Sequence, residues 1–392
     1  MSENIISFSV ERTPIILNPA WFIHGGIVIY SDHIEYLNMR RERVNAYYDA
    51  KTTEFILSRT IQFNPLHYAI TSRFSKTITD EVLTDLGLFR EALISIDADS
   101  VSINLSGYSL ENGESGRFIC PSMAGISISS GKSYIKIYNG TIRNFNCGII
   151  GNNLWFAEFE RINIDRFIAR GISVKSAYHC NLKDIVCNQD IIHHGASEEW
   201  VEMCGLYRDS PRDAKKRFNI LQAYNRWKGL KTGIVSNNMI INRNLLINNE
   251  IVGIDMSEEA PEKMGHHCNL ENISIRNIIL WADKDISSSS HEPLVQPRLT
   301  GINIHGLEQT RLRNLFIENI RREPIGLGEP SEIGIKYSKV QRDLLLDKIS
   351  ISRVAVPELV SKNNEVRLLS ANQARKKKRI IRQGCACKNR NG

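Results

Sequence analysis

The strongest constraint on this chain is a repeat. Six segments share one pattern: Ile137-Tyr-Asn-Gly-Thr-Ile142-Arg-Asn144-Phe145, Phe159-Glu-Arg-Ile162-Asn-Ile164-Asp-Arg166-Phe167, Leu182-Lys-Asp184-Ile185-Val-Cys187-Asn, Leu270-Glu-Asn272-Ile273-Ser-Ile275-Arg-Asn277-Ile278, Leu312-Arg-Asn314-Leu315-Phe-Ile317-Glu-Asn319-Ile320 and Leu346-Asp-Lys-Ile349-Ser-Ile351-Ser-Arg353-Val354. The first three begin at residues 137, 159 and 182, spaced by 22 and 23. A Gly-Ile pair recurs at Gly125, Gly148, Gly171, Gly233, Gly253, Gly301 and Gly334. Apolar and polar residues alternate within a unit, which predicts short strands with alternate side chains inward. Asn and Gly mark the bends because both accept left-handed backbone angles. One unit cannot bury its apolar side alone, so units must stack. The geometry that follows is a coil of parallel strands about 4.8 Å apart, with Ile, Leu, Val and Phe piled inside and amide side chains stacked at the bends.

The residues Val101-Ser-Ile103-Asn-Leu105-Ser-Gly107-Tyr108-Ser-Leu110 resemble the first coil of right-handed parallel β-helix proteins of the pectin-lyase-like superfamily. Tyr138-Asn-Gly-Thr-Ile-Arg-Asn-Phe145, followed by Gly148-Ile149, is similar to that family's next coils. A leucine-rich repeat is disfavoured, because its Asn positions differ and β-branched Ile dominates here. The fold expected is all-β, a right-handed parallel β-helix solenoid with an N-terminal cap and a helical loop insertion. Its divisions are an arm and cap over 1–94, the β-helix over 95–356 and a basic tail over 357–392.

The N-terminal division is rich in aromatics, among them Trp21, Phe22, Tyr30, Tyr36, Tyr47, Tyr48 and Tyr68. Residues 79–93 read as a helix with acids in its first turn. A solenoid needs its first turn covered, since an open strand edge invites aggregation. Residues 193–230 do not alternate. Pro211 opens a helical pattern there, with Phe218, Leu221 and Tyr224 on one face and Lys216 and Arg217 beside them, running to Trp227. This basic amphipathic element packs either on the coil's own flank or on a partner. The partner-binding candidates are Trp21, Phe22, Lys216, Arg217, Tyr224 and Trp227.

The family resemblance implies polysaccharide lyases and hydrolases as one possibility. Calcium-dependent lyases need several carboxylates on one strand face with an Arg as base. The acids at bend positions here are Asp165, Asp184, Asp190 and Asp255, and each is also explained as a polar bend residue. Galacturonan hydrolases use Asn-x-Asp, Asp-Asp, Gly-His-Gly and Arg-x-Lys on successive coils. This chain has Asn163-Ile-Asp165 and His193-His194-Gly195, but Gln189-Asp190 is no acid pair and no Arg-x-Lys follows at coil spacing. If the chain is an enzyme, Asp165, Asp190 and His194 are its candidate catalytic residues, with paired carboxylates about 5 to 9.5 Å apart; otherwise there are none. His266-His267-Cys268 would place adjacent side chains on opposite strand faces, which suits structure better than metal. No cofactor is expected, since no Gly-rich phosphate loop, Cys-x-x-Cys pair or nucleophile elbow occurs.

Charge is unevenly placed. The chain carries a formal net charge of +7, and residues 371–392 alone contribute +8 without a single acid. Arg375, Lys376, Lys377, Lys378, Arg379 and Arg382 form the block. Such a block is a solvated terminus, a nuclear-targeting signal or a contact for nucleic acid or another anionic surface. The eight cysteines are scattered among apolar residues, as expected of reduced core thiols inside a cell. Cys385-Ala-Cys387 is the one spacing with metal-binding chemistry. The start of the chain lacks a basic region followed by an apolar core, and no stretch approaches the roughly 18 apolar residues of a membrane span. β-helix proteins of this look resemble components encoded by large DNA viruses, which implies a virion or host-cytoplasm location. Three functional classes follow: a non-enzymatic structural or minor-capsid protein that contacts neighbours in a larger assembly, a polysaccharide-active or carbohydrate-binding protein, and a nucleic-acid-associated protein acting through its tail.

Overall fold

The computed structural model describes residues 14–23, 25–40, 42–49, 54–63, 92–112, 124–145, 147–167, 169–189, 250–257, 265–281, 298–323, 332–338, 345–362 and 365–369. Among them the chain is all-β, apart from a short 3-10 turn, Pro19–Phe22, capped by Asn18, whose side chain accepts from the Ala20 amide at 3.0 Å. The strands form two sheets. The first runs β1 (Ile15–Leu17), β5 (Glu54–Leu57), β8 (Ser102–Asn104), β11 (Lys136–Arg143), β13 (Glu158–Asp165), β15 (Asn181–Asn188), β18 (Asn269–Trp281), β21 (Arg311–Glu323) and β23 (Leu345–Val354), with β9 (Ser109–Asn112) joined to β11 and β6 (Ile61–Phe63) to β9. The second runs β4 (Arg43–Tyr47), β3 (His33–Leu37), β2 (Ile27–Ile29), β7 (Ala92–Ile96), β10 (Ala124–Ile128), β12 (Cys147–Trp155), β14 (Arg170–Tyr178), β16 (Glu250–Ser257), β19 (Arg298–His305), β22 (Glu332–Ser338), β24 (Val356–Lys362) and β25 (Glu365–Leu369). Two short strands, β17 (Gly265–His266) and β20 (Leu307–Glu308), extend the second sheet beside the end of β14. Pairing is parallel throughout, except β2–β3–β4 at one end of the second sheet and β24–β25 at the other. From β10 to β15 consecutive strands alternate between the sheets.

The register is that of the repeat. Ile137, Phe159, Leu182, Leu270 and Leu312 lie side by side across β11, β13, β15, β18 and β21, each with no exposed surface. Ile142, Ile164, Cys187, Ile275 and Ile317 form a second such row. Each fully buried Leu or Ile contributes about 2 kcal/mol, and one apolar cluster runs through both sheets. Between the rows, Asn139, Arg161, Asp184, Asn272, Asn314 and Lys348 hold left-handed backbone angles, with φ of 53° to 59°. That extra residue bends the strand and resets its alternation. It explains why the repeat reads apolar, two polar, apolar, polar, apolar. Where the bend residue is an amide it bonds to the neighbouring strand: Asn272 Nδ2 donates to Asp184 Oδ1 at 2.7 Å and Asn314 Nδ2 to Asn272 Oδ1 at 2.8 Å. At a second bend Asn319 donates to Asn277 at 2.7 Å and Asn277 to Asn188 at 3.0 Å. Each such bond is worth about 1 kcal/mol.

The recurring glycines have a different cause. Gly125, Gly148, Gly171, Gly253 and Gly301 each sit near the start of a second-sheet strand, beneath an apolar side chain of the first-sheet strand that follows. A Cβ on Gly148 would lie 2.5 Å from the Gly171 carbonyl oxygen and 2.6 Å from Ile164 Cγ2; one on Gly253 would lie 2.7 Å from the Gly301 oxygen and 2.9 Å from Ile275 Cγ2. The row is set by close approach of backbone to backbone.

Several expectations change. Among the described residues parallel pairing is already present at Ile15 through β1, β5 and β8, well before residue 95, because Ile15, Phe55 and Ile103 already share the inward row. Ala92 and Leu93, read as the end of a helix, belong to strand β7, where Ile94 pairs with Ile27 and Ile126; tertiary pairing overrides local helix propensity. The rest of that segment lies outside the described residues. Strand structure continues past residue 356 through β24 and β25. Residues 193–230 and 371–392 lie outside the described residues.

Candidate functional site

Asp165 is the one catalytic candidate among the described residues; Asp190 and His194 are not. It ends β13 on the outward face of the first sheet. Arg143 Nε approaches Asp165 Oδ2 at 2.9 Å, and Asn188 Nδ2 donates to Oδ1 at 3.2 Å. Arg143 also reaches Glu111 at 3.4 Å. Asp165 is therefore held within a strand-to-strand network, with both oxygens engaged. A neighbouring row repeats the theme: Arg313 lies 3.3 Å from Glu271 and 3.7 Å from Asp347. These pairs are partly solvated, so each contributes at most about 1 kcal/mol. Their effect is register, since a slip by one rung would place like charges together.

The outward face of the second sheet carries a different arrangement. Arg170 begins β14, Asp255 lies in β16 and Asn303 in β19. Arg170 Nε lies 3.0 Å from Asp255 Oδ2, and Asn303 Nδ2 donates to Asp255 Oδ1 at 2.8 Å. Arg170 keeps 7% of its surface and Asp255 2%. Ser173, next to Asp255 in register, is also buried. The buried charges offset one another, and Asn303 supplies the hydrogen bond to the carboxylate, whereas Arg170 Nε meets it as an ion pair without hydrogen-bond geometry. Asp255 is thus a structural counter-charge. Arg170 and Asn303 carried no sequence signal beyond their place one residue before, and two after, the recurring glycines.

The third feature is aromatic. At the corner leading from the second sheet to the first, Tyr134, Phe156, His179 and His267 all adopt left-handed angles and stack in line. Ring centroids are 5.0 Å apart for Tyr134–Phe156, 4.9 Å for Phe156–His179 and 4.8 Å for His179–His267, with planes within 10° of parallel. Trp155 and Tyr178 form a second stack beside it, at 4.2 Å. Such offsets suit aromatic quadrupoles and add about 1 kcal/mol per pair. The row is nonetheless open to solvent: Tyr134 is 59% exposed, Trp155 and Phe156 each 40%, and both histidines are exposed. A sequence signal for it exists. Tyr134, Phe156, His179 and His267 each stand three residues ahead of the repeat's opening apolar residue, at Ile137, Phe159, Leu182 and Leu270.

Of the partner-binding candidates, Trp21 and Phe22 are described. Phe22 is 2% exposed and packs into the core, so it has no surface to give a partner. Trp21 is half-buried and stacks on Tyr36 at 5.5 Å. Lys216, Arg217, Tyr224, Trp227, Arg375, Lys376, Lys377, Lys378, Arg379, Arg382, Cys385 and Cys387 lie outside the described residues. Among the described residues no group of three or more His, Cys, Asp and Glu side chains is placed to hold a metal ion, and no helix is long and apolar enough to cross a membrane. No protein family, no curated protein and no solved structure matches this chain.

Proposed function

We propose that the chain coils as a right-handed parallel β-helix and serves as a non-enzymatic scaffold that docks against protein neighbours in a larger assembly. The coil is supported by the alternation of strands between two parallel sheets and by the glycine row, where each second-sheet strand meets the first-sheet strand that follows. Right-handedness follows from the general preference of parallel crossover connections. The observation that carries the functional reading is the exposed corner of Tyr134, Trp155, Phe156, His179 and His267. Rigid aromatic surface of this kind, ordered by its own stacking, loses little entropy on docking and is typical of interface centres. The carboxylates Asp165 and Asp255 are engaged in pairing with Arg143 and Arg170, which leaves them poorly placed as acid or base. A virion component of the kind the sequence resembles is one setting for such a scaffold.

Hydroxyl-radical footprinting tests this. The native particle or complex that contains the chain is compared with the purified chain. Protection of Tyr134, Trp155 and Phe156 in the native material supports the proposal. Equal oxidation in both overturns the docking surface.

A further inference from the structure

Four cysteines among the described residues are free and buried: Cys147, Cys180, Cys187 and Cys268. Two of them are neighbours across rungs. Cys180 immediately precedes β15 and Cys268 immediately precedes β18, whose first residues, Asn181 and Asn269, are paired in register. The Asn269 amide donates to the Cys180 carbonyl at 2.9 Å, so the two cysteines occupy equivalent positions in adjacent turns. Ala157 holds the same position in the preceding rung, where the Asn181 amide donates to its carbonyl at 2.8 Å.

We propose that Cys180 and Cys268 are a dithiol site that closes to a disulfide with a small disulfide oxidant such as oxidised glutathione, stapling the rungs on either side of the chain's longest interruption. The spacing fits. Adjacent strands lie about 4.8 Å apart, inside the roughly 4.4–6.8 Å Cα window of disulfides. The two thiols are close enough to influence one another's ionisation, and they occupy equivalent positions on paired strands. Cys180 Sγ lies 3.6 Å from the Tyr178 carbonyl oxygen and Cys268 Sγ 3.5 Å from that of Ala177. The Cys268 thiol stabilises charge on Cys180, which pulls the Cys180 thiol below its usual range, while that same contact and burial push Cys268 up. The thiolate of one cysteine displaces one glutathione from the oxidant to give a mixed disulfide. The thiol of the other, after losing its proton to solvent, then displaces the second. One S–S bond breaks and one forms, and two glutathione thiols leave with the two protons. Burial pushes the Cys147 thiol up to about 12, and burial, then the charge of Cys147, pushes the Cys187 thiol higher still, so both stay protonated and unreactive.

The bond would join two turns directly and close a loop holding β15, β16 and residues 190–249. The bond spans 88 positions in sequence, a length at which cross-linking restricts the unfolded chain strongly. Both sulfurs are at most 1% exposed at residue level, so closure waits on local opening of the corner and is slow.

The test uses the full chain under native conditions, incubated with oxidised glutathione, then alkylated and digested without reduction. Expected is a cross-linked Cys180–Cys268 peptide, two hydrogens lighter than the pair of reduced peptides. Its formation should accompany a higher melting temperature that dithiothreitol reverses. Cys180→Ser and Cys268→Ser should each abolish the cross-link and the shift, and the Cys180→Ala/Cys268→Ala double variant, checked by circular dichroism for an intact β spectrum, should melt alike with and without oxidant. Absence of the cross-link after prolonged oxidation of folded protein overturns the proposal. So does a cross-link that leaves the melting temperature unchanged, or predominant pairing of either cysteine with another.

Discussion

Replacing Gly171 by Ala separates two physical effects with opposite signs. The backbone at Gly171 is not left-handed, so Ala is conformationally acceptable there. Removing a glycine's freedom in the unfolded chain would by itself stabilise by about 0.4–1 kcal/mol. The contacts argue the other way. The added methyl would lie 2.4 Å from the carbonyl oxygen of Gly253 in the next rung and 2.9 Å from Cys187 Sγ, well inside the ~3.5 Å of an ordinary contact. The oxygen lies between Val252 and Ile254, both paired with β14, so relief requires the two strands to part by about an ångström. Overpacking of this kind costs about 1–3 kcal/mol, and stretching two ladder hydrogen bonds adds about 1 kcal/mol. The net expectation is a loss of about 2–3 kcal/mol. Gly107→Ala is the internal control. Gly107 has φ +80° and nothing within 4 Å of its would-be Cβ, so only left-handed strain operates, at about 1 kcal/mol. Thermal and urea unfolding followed by tryptophan fluorescence and circular dichroism, recorded together because stacked repeats need not unfold in one step, gives the ranking. If Gly171→Ala equals wild type, or loses less than Gly107→Ala, the reading of the glycine row as rung-to-rung close approach is wrong.

Asn319 combines φ of 61° with a 2.7 Å bond to Asn277; Asn319→Gly should cost about 1 kcal/mol and Asn319→Val about 2–3 kcal/mol by denaturant unfolding. Arg170→Met strands the buried Asp255 carboxylate and should cost about 3–5 kcal/mol, whereas Arg170→Met combined with Asp255→Leu should recover most of it in a double-mutant cycle. At alkaline pH two tyrosines among the described residues titrate late. Burial, then the Asp32 charge, pushes Tyr48 up to about 12; burial, then the hydrogen bond it donates to Glu54, pushes Tyr138 up to about 12. A folded state that holds these protons more tightly than the unfolded chain has their full contribution below pH 10, and loses it as pH rises from 10 through about 12. Phenolate absorbance should show a late component that shrinks in Tyr138→Phe and in Tyr48→Phe, and Tyr138→Phe should flatten part of the fall in stability over that window; a late component unchanged in both variants contradicts this.

How much was legible follows from what each interaction needs. The Leu-x-x-Ile-x-Ile spacing is itself a local rule, because one left-handed residue between two alternating runs makes the first and second inward positions three apart. Hence the strands and their inward rows could be read directly. The bend amides were visible for the same reason. The stacked corner was equally periodic, at Tyr134, Phe156, His179 and His267, but its members share shape rather than residue type, so aligning identities passed over it. Phe22 and Trp21 looked alike as aromatic neighbours, yet one is in the core and the other half-outside, a difference that adjacency in sequence cannot carry.

Strand positions, bend residues and inward rows were determined by sequence, since each depends on the alternation of neighbours within a few residues. Tertiary structure decided where pairing starts and stops, how Arg170 meets Asp255 and Asn303, and which thiols adjoin. Those contacts join residues tens of positions apart, and the number of residues intervening between rungs varies. A period read along the chain therefore cannot say which rung lies next to which until the sheets have formed.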